Sequence, residues 1–144
     1  MSGTAETVLV DSGFWIALLD PTDEHHAEAR SKKIHLDKVQ VVCPWPTLYE
    51  VVCTQLVKNP VAVSRYEQLL NGTNIELFSD VPYREKALKQ VFRAATKRPM
   101  ALVDIILRLI IEDARVRIDG LLTFNRKDFV DVCHRRKKKA VKIL

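Results

Sequence analysis

The stretch TVLVDSGFWIALL, residues 7–19, places one charged side chain between two apolar segments. TVLV is typical of a buried strand, whereas FWIALL is typical of an apolar helix. Asp11 stands at the junction between them. Asp and Ser are favoured at helix N-caps, so capping is available to Asp11 or to Ser12. Whether Asp11 also takes part in chemistry depends on which other residues reach the same place.

The same alternation of strand and helix continues along the chain. Apolar runs predict strands at 7–11, 40–43, 75–79 and 121–124, with VKIL at 141–144 as a candidate fifth. Helices are predicted at 13–19, 23–36, 48–57, 61–70, 83–97 and 101–117. This pattern predicts an α/β domain with helices on both faces of a central, mostly parallel sheet. Ligand sites in such sheets lie beyond the carboxyl ends of the strands, where Asp11 stands.

Composition predicts one ordinary globular domain. The chain has 144 residues, of which 47% are hydrophobic and 28% charged, so residues 1–144 are assigned to a single domain. The most apolar run, ALVDIILRLII, is broken by Asp104 and Arg108, which excludes it as a membrane span. The first residues lack the features of a signal peptide, and the three cysteines form no C-x-x-C pair. A cytoplasmic location with reduced thiols is therefore expected.

The basic residues leave two interpretations open. The net charge is +5, and much of it lies in HRRKKK at 134–139. Such a block is either a nucleic-acid contact or a solvated tail, and the tail is the commoner case.

Glu50 is a second candidate acid, in CPWPTLYEVV. Pro44 and Pro46 indicate that a helix begins here, directly after a predicted strand. Thr47-x-x-Glu50 also fits a capping box, which would give Glu50 a structural role in the first helical turn. Either way, Glu50 is expected at the carboxyl edge of the sheet.

Asp104 interrupts a helix that is otherwise apolar on nearly every side. At about 100° per residue it shares one polar stripe, roughly 80° wide, with three other charged residues. A ladder of ion pairs at i, i+4 spacing would explain those three, which are Arg108, Glu112 and Arg115. Asp104 lies between Val103 and Ile105 in the first turns, where an ion usually needs a partner such as a metal.

The fourth candidate lies in LLTFNRKDF, after the predicted strand 121–124. Asn125 and Asp128 follow this strand, whereas Asp119 precedes it and belongs to the opposite edge. Both Asn125 and Asp128 have alternative roles as turn residues, and Asp128 also as a helix cap. Together with the three other acids they would form a cluster of hard oxygen ligands, which suits Mg²⁺ or Mn²⁺ and phosphoryl chemistry.

Three segments in this order resemble a PIN domain, especially the compact kind of the VapC-type toxins. They are VLVDSGFWIALLDPTDEHHAEA (8–29), PTLYEVV (46–52) and ALVDIILRLIIEDARVRIDGLLTFNRKDF (101–129). The resemblance implies a three-layer α/β/α fold with about five strands. It also implies a Mg²⁺- or Mn²⁺-dependent endoribonuclease that cleaves RNA phosphodiesters with metal-activated water.

Site residues are carried over by position. Asp11, Glu50 and Asp104 match the family's acids, Ser12 matches a hydroxyl residue able to orient Asp11, and Thr123 matches the hydroxyl of a T-x-D or T-x-N element. The departure is Asn125, where many members have Asp and where an amide oxygen is a neutral, weaker ligand. Asp128 is then the candidate fourth catalytic carboxylate, so either Asn125 or Asp128 completes the metal site.

The resemblance also implies partners, namely an RNA substrate, a small antitoxin protein and a second copy of the chain in a homodimer. The alternative is a PIN-fold RNA-binding or scaffold protein with weakened catalysis, which Asn125 and the basic stretch favour.

Two other features of the sequence have more than one interpretation or a minor role. Trp45, between two prolines, is able either to stack on a base or to anchor its loop. His25 and His26 are expected to be surface residues, because adjacent helical positions cannot share a metal.

Overall fold

The computed structural model describes residues 5–94, 98–136 and 140–144. Within these ranges five strands form one sheet in which every pairing is parallel. The strands are β1 (Thr7–Val10), β2 (Gln40–Pro44), β3 (Ile75–Phe78), β4 (Gly120–Leu122) and β5 (Lys142–Ile143), in the order β3-β2-β1-β4-β5. The central position of β1 puts Asp11, the residue that follows it, in the middle of the carboxyl edge.

Seven helices connect and cover the strands in the described part of the chain. They are α1 (Ser12–Leu19), α2 (His26–Leu36), α3 (Trp45–Val52), α4 (Pro60–Leu70), α5 (Arg84–Ala94), α6 (Leu102–Glu112) and α7 (Val130–His134). Short 3-10 turns lie at Gln55–Lys58, Val81–Tyr83 and Arg126–Asp128. In these ranges no helix is both long enough and apolar enough to span a membrane.

Two hydrophobic cores lie on opposite faces of the sheet. Alternate side chains of a strand point to opposite faces, and Val8 and Val10 accordingly join one core while Leu9 joins the other. The first core includes buried residues of α1 to α4, such as Trp15, and the second includes those of α5 to α7, such as Ile110. The predicted three-layer α/β/α fold with about five strands is therefore confirmed.

Two predicted helices have wrong bounds, and residues near their ends explain the differences. The helix predicted at 48–57 begins earlier, at Trp45, because Pro46 suits its first turn, and it ends at Val52 before a separate 3-10 turn. The helix predicted at 101–117 ends at Glu112. Asp113 there accepts hydrogen bonds from the backbone N–H and the guanidinium of Arg115, which hold the chain in a turn.

Two further boundaries differ at the ends of helices. The helix predicted at 23–36 begins at His26, because the Asp23 carboxylate accepts from the His25 N–H and stabilises a turn before it. The helix predicted at 83–97 is observed as Arg84–Ala94, and residues 95–97 lie outside the described residues.

Candidate functional site

Asp11 occupies the junction between β1 and α1 and is 9% exposed. Its Oδ1 accepts from the backbone N–H of Ser12 at 2.7 Å, so the predicted N-cap role is confirmed. Its Oδ2 accepts from the Thr123 hydroxyl at 3.0 Å. Burial raises the pKa of Asp11, and these hydrogen bonds oppose the rise. The carboxylate is thus held by the first residue of α1 and by the residue that follows β4.

Glu50 is tied to the same junction through Ser12. The Ser12 hydroxyl donates to Glu50 Oε1 at 2.7 Å and lies 3.4 Å from Asp11 Oδ1. The shorter bond is the one to Glu50, so Ser12 bridges two acids rather than serving Asp11 alone. Burial, and then the Asp11 charge, raise the pKa of Glu50.

The predicted capping box at Thr47 and Glu50 is wrong. Because α3 begins at Trp45, Glu50 lies in its second turn, too far along the helix to bond the capping residue. Thr47 is fully buried, and its hydroxyl donates to the Pro44 carbonyl at 2.6 Å. The structure therefore removes the local explanation for Glu50 and leaves its contact with Ser12.

Asp104 lies in the first turn of α6, and its carboxylate receives no hydrogen bond from any residue that the structure describes. Burial raises its pKa to about 6, and the charges of Asp11, Glu50 and Asp128 contribute to the rise. Three of the predicted acids therefore act electrostatically on the fourth, Asp104, although they come from distant parts of the sequence.

The predicted ladder of ion pairs along α6 is wrong. Arg108 pairs with Asp131 at 2.7 Å, Glu112 pairs with Arg135, and Arg115 lies beyond the end of the helix. These partners come from the segment that follows β4, which a local pattern cannot reveal. The polar stripe of α6 consequently joins α6 to α7, while Asp104 faces the acids.

Asn125 and Asp128 are bonded to each other. The Asn125 side-chain amide donates to Asp128 Oδ2, and its backbone N–H donates to the Thr123 hydroxyl at 3.0 Å. Arg98 approaches the other oxygen of Asp128 at 3.4 Å. The alternative role of Asp128 as a helix cap is wrong, because α7 has no side-chain cap. Both residues lie in or beside the 3-10 turn at Arg126–Asp128, as expected of turn residues.

Arg108 stabilises this turn. The sequence did not indicate that Arg108 belongs to the site. Its guanidinium donates two bonds of 2.7 Å to Asp131 and one of 2.8 Å to the backbone carbonyl of Asp128. The side chain of Arg108 is 15% exposed. The turn that carries Asp128 is therefore held by a cation from α6, the helix that carries Asp104.

The site has the donor chemistry of a hard-cation centre, but its side chains are not gathered as tightly as metal ligands. Across the described ranges, no three His, Cys, Asp or Glu side chains are placed to hold a metal ion together. The acids nevertheless offer only oxygen donors, and their mutual repulsion at Asp104 is what a divalent cation would relieve. The residues fit Mg²⁺ or Mn²⁺ in chemistry and charge.

The adjacent histidines lie at the surface, where the side chain of His25 is 41% exposed, and both make specific contacts. His25 stacks on Phe124 with ring centroids 4.3 Å apart and planes inclined by 9°. His26 Nδ1 lies 2.7 Å from the Ala17 carbonyl. Both imidazoles are half-buried between α2 and neighbouring elements, and neither belongs to a metal-binding group among the described residues.

The basic stretch at 134–139 is partly committed to the fold. Arg135 pairs with Glu112, and Arg136 donates to the carbonyls of Val116 and Ile118. Residues 137–139 lie outside the described residues. Arg135 and Arg136 are therefore not part of a free tail, and the interpretation of this stretch as a nucleic-acid contact stays a prediction.

Replacing Thr123 by Val is expected to lower the free energy of unfolding by about 1–3 kcal/mol, because Asp11 and the Asn125 N–H each lose a buried partner. Valine keeps the shape of a side chain that is fully buried. Urea denaturation measures the change. Thr22→Val is the control, since the Thr22 hydroxyl is exposed and its loss should cost less than about 0.5 kcal/mol. Equal effects of the two changes would contradict the role of Thr123.

Stability is expected to fall in acid partly through Asp131. Its hydrogen bonds with the Arg108 guanidinium hold its pKa well below the ordinary carboxyl value. A depressed pKa stabilises the fold above the ordinary carboxyl pKa of about 3.9, and this contribution is lost as the pH falls below it. Thermal unfolding followed between neutral pH and pH 3 should show a shallower acid loss for Asp131→Asn than for the wild type. Parallel curves would contradict this.

Comparison with solved structures shows which known proteins have a similar fold. No protein-family model matches the sequence, and no curated protein sequence does either. The fold is similar to that of Mycobacterium tuberculosis VapC20, a Sarcin-Ricin loop cleaving toxin, with a TM-score of 0.69 and 17% identity over 86% of this chain and 94% of that one. It is also similar to VapBC2 from Rickettsia felis, solved with a DNA fragment from its promoter, with a TM-score of 0.59 and 9% identity over 95% and 98% of the two chains. The chain therefore has the α/β/α fold of the VapC toxins, as the PIN-like resemblance predicted.

Proposed function

We propose that the protein is an endoribonuclease that depends on a divalent metal, Mg²⁺ or Mn²⁺. The observation that carries the proposal is Asp104, a half-buried carboxylate that receives no hydrogen bond from the described residues and lies within electrostatic reach of three further acids. Holding a carboxylate in these surroundings costs free energy if its role is only structural, whereas a bound cation would offset the charge. The likeness of the fold to VapC20, a toxin that cleaves RNA, supports RNA as the substrate.

Asp11, Glu50 and Asp104 would hold the metal, with Asp128 or Asn125 completing the site. When bound, the metal would polarise the phosphate and lower the pKa of an attacking water. Ser12 fixes the Glu50 carboxylate, while Thr123 fixes that of Asp11. Oriented acids lose less side-chain freedom on binding, which favours a defined geometry at the scissile phosphate.

The role of Asn125 differs from that of a fourth acid. Its side-chain amide donates to Asp128 and its backbone N–H donates to the Thr123 hydroxyl. Asn125 therefore connects Asp128 to Thr123, the residue that donates to Asp11. We infer that Asp128 supplies the ligand oxygen and that Asn125 orients it. Asn125→Asp should then remove the amide donor and place a second negative charge against Asp128.

We further propose that the protein acts as the toxin of a toxin–antitoxin pair. The complex of VapBC2 and the toxin VapC20 are the comparisons that support this. A small antitoxin would then be a protein partner, with an arginine able to satisfy the acid cluster. A homodimer and a cytoplasmic location, where Cys43, Cys53 and Cys133 stay reduced, complete the proposal.

The proposed activity is tested with labelled RNA and a DNA of the same sequence. We expect cleavage of RNA in Mg²⁺ or Mn²⁺, its loss in EDTA, and its return when Mn²⁺ is added in excess. Glu67→Gln, which removes an exposed carboxylate on α4, should cleave like the wild type. Cleavage that persists in EDTA would contradict the proposal that the activity depends on a metal.

A catalytically weakened RNA-binding protein is the second candidate. The contacts of Asp128 favour it, because Asn125 and Arg98 occupy both of its carboxylate oxygens. RNA that is bound but not cleaved under any metal condition, by either the wild type or Arg98→Ala, would support this candidate. Restored cleavage in Arg98→Ala would instead show that Arg98 restrains Asp128.

A further inference from the structure

Trp45 lies at the edge of the sheet where the acids meet. The register pairs Val10 with Leu122 and Leu9 with Val42, so β1, β2 and β4 all end at this edge. Asp11 is the first residue beyond β1, and Trp45 is the first beyond β2. A nucleic acid bound at the acids therefore passes close to the start of α3.

The indole of Trp45 is open to solvent. Trp45 is 41% exposed, whereas Trp15, the other tryptophan of the chain, is 1% exposed. Pro44 and Pro46 on either side restrict the backbone, so the ring is presented from a stiff segment. The exposed part of the ring is therefore available for stacking, whatever its buried part contributes to anchoring the loop.

Tyr49 extends the same surface by one helical turn. It is 58% exposed, and its ring centroid lies 6.2 Å from that of Trp45 with the planes inclined by 47°. Because the two rings are tilted rather than stacked on each other, they do not cover each other's faces. Arg84 lies within electrostatic reach of Tyr49, and its 55% exposed side chain is held by Asp80 at 2.9 Å.

The same helix carries a proposed metal ligand. Glu50 follows Tyr49 directly and turns its carboxylate to Ser12. Neighbouring residues of a helix point about 100° apart, so the aromatic pair flanks the acids without joining them. Rigid aromatic rings beside a phosphate-processing site, with a guanidinium near them, are the arrangement by which proteins bind unpaired bases.

We propose that Trp45 and Tyr49 form a stacking platform for an unpaired nucleobase of the RNA whose backbone lies at Asp11, Glu50 and Asp104. The proposal rests on the proposed nuclease function and adds the two residues that would contact a base, which has to be unpaired to reach them. A duplex keeps its bases stacked on one another and offers no free face to the platform.

Tryptophan fluorescence tests the platform directly, because Trp15 is buried and Trp45 is the exposed emitter. Asp104→Asn in Mg²⁺ is titrated with an unstructured oligoribonucleotide and with a duplex of equal length, while anisotropy of the labelled RNA follows binding. We expect single-stranded RNA to quench emission in step with binding, and the duplex to bind at least several-fold more weakly. Adding Trp45→Phe should remove most of the quenching and retain most of the affinity, because phenylalanine still stacks.

Truncation of the platform should weaken binding. Trp45→Ala should bind single-stranded RNA about tenfold more weakly, the usual effect of one lost stacking partner. Phe92→Ala is the matched control, since Phe92 is a 70% exposed aromatic on α5 and should leave affinity unchanged. Circular dichroism of each variant checks that the fold is retained.

The outcomes separate this inference from the nuclease proposal. Cleavage by the wild type together with unquenched Trp45, or with wild-type affinity in Trp45→Ala, would overturn the platform and leave the nuclease standing. Self-association that buries Trp45 and is lost in Trp45→Ala would assign this surface to a second copy, which also overturns the platform. Failure of any RNA to bind would overturn both proposals.

Discussion

Asp104→Asn is expected to lower kcat/KM for RNA cleavage by about a hundredfold or more while making the metal-free protein more stable. The amide has nearly the shape of the carboxylate but lacks its charge, so a metal ligand is lost and the repulsion from Asp11, Glu50 and Asp128 disappears. Because the site is only half-buried, the screened gain in the free energy of unfolding is about 1 kcal/mol, or about 2–4 °C in Tm.

The pH dependence of this gain has a definite sign. The pKa of Asp104 is raised to about 6 in the folded protein, whereas an unfolded Asp titrates near its ordinary value. The folded state then binds more protons between about pH 4 and pH 6, so ionisation of Asp104 destabilises the fold as the pH rises through this window. In EDTA the advantage of Asp104→Asn should be small at pH 4 and full at pH 7.5.

Thermal unfolding in EDTA and single-turnover cleavage in Mn²⁺ measure the two effects. Glu67→Gln, an exposed carboxylate change of the same kind, should alter neither. An Asp104→Asn protein that is as active as the wild type, or that unfolds at a lower temperature at pH 7.5, would contradict this interpretation of the site.

Arg108→Met is expected to lower the free energy of unfolding by about 3 kcal/mol. The substitution keeps the apolar stem but removes two bonds to Asp131 and one to the Asp128 carbonyl, and it leaves Asp131, among the described cations, with only its longer, 3.4 Å contact to Arg135. Because Arg108 stabilises the turn that carries Asp128, cleavage should also fall, even at temperatures where the variant remains folded.

The matched control is Arg115→Met. Arg115 also forms a bidentate ion pair, with Asp113, but its side chain is 86% exposed, so its loss should cost less than about 1 kcal/mol. Urea denaturation compares the two. A similar loss of stability in both variants would show that burial of Arg108 contributes little.

The layout of the fold could be predicted from local patterns. Apolar runs located the five strands of the described residues, most clearly β1, β2 and β4, whose burial on both faces needs nearly continuous hydrophobic residues. Parallel pairing followed from the helices between the strands. Helix ends were harder, since the end of α6 depends on the Asp113–Arg115 turn and the start of α2 on Asp23. Such side-chain bonds compete with the helix without changing its hydrophobic pattern.

The candidate site was only partly visible in the sequence. Asp11 and Asp104 stand out because they interrupt apolar segments, and their position at a sheet edge follows from topology. The contacts of Ser12 with Glu50 and of Arg108 with Asp131 join residues 38 and 23 positions apart, so they depend on packing that no local spacing encodes. Asn125 and Asp128 are only three positions apart, but both are common turn residues, so the sequence left a choice between them and did not predict their bond.

Calorimetric titration of Mn²⁺ into the wild type, Asp104→Asn and Glu67→Gln tests the central claim that the four acids form a metal-binding site. We predict saturable binding to the wild type and to Glu67→Gln, and affinity at least tenfold weaker in Asp104→Asn. Indistinguishable binding by all three proteins, or none by the wild type, would contradict the claim.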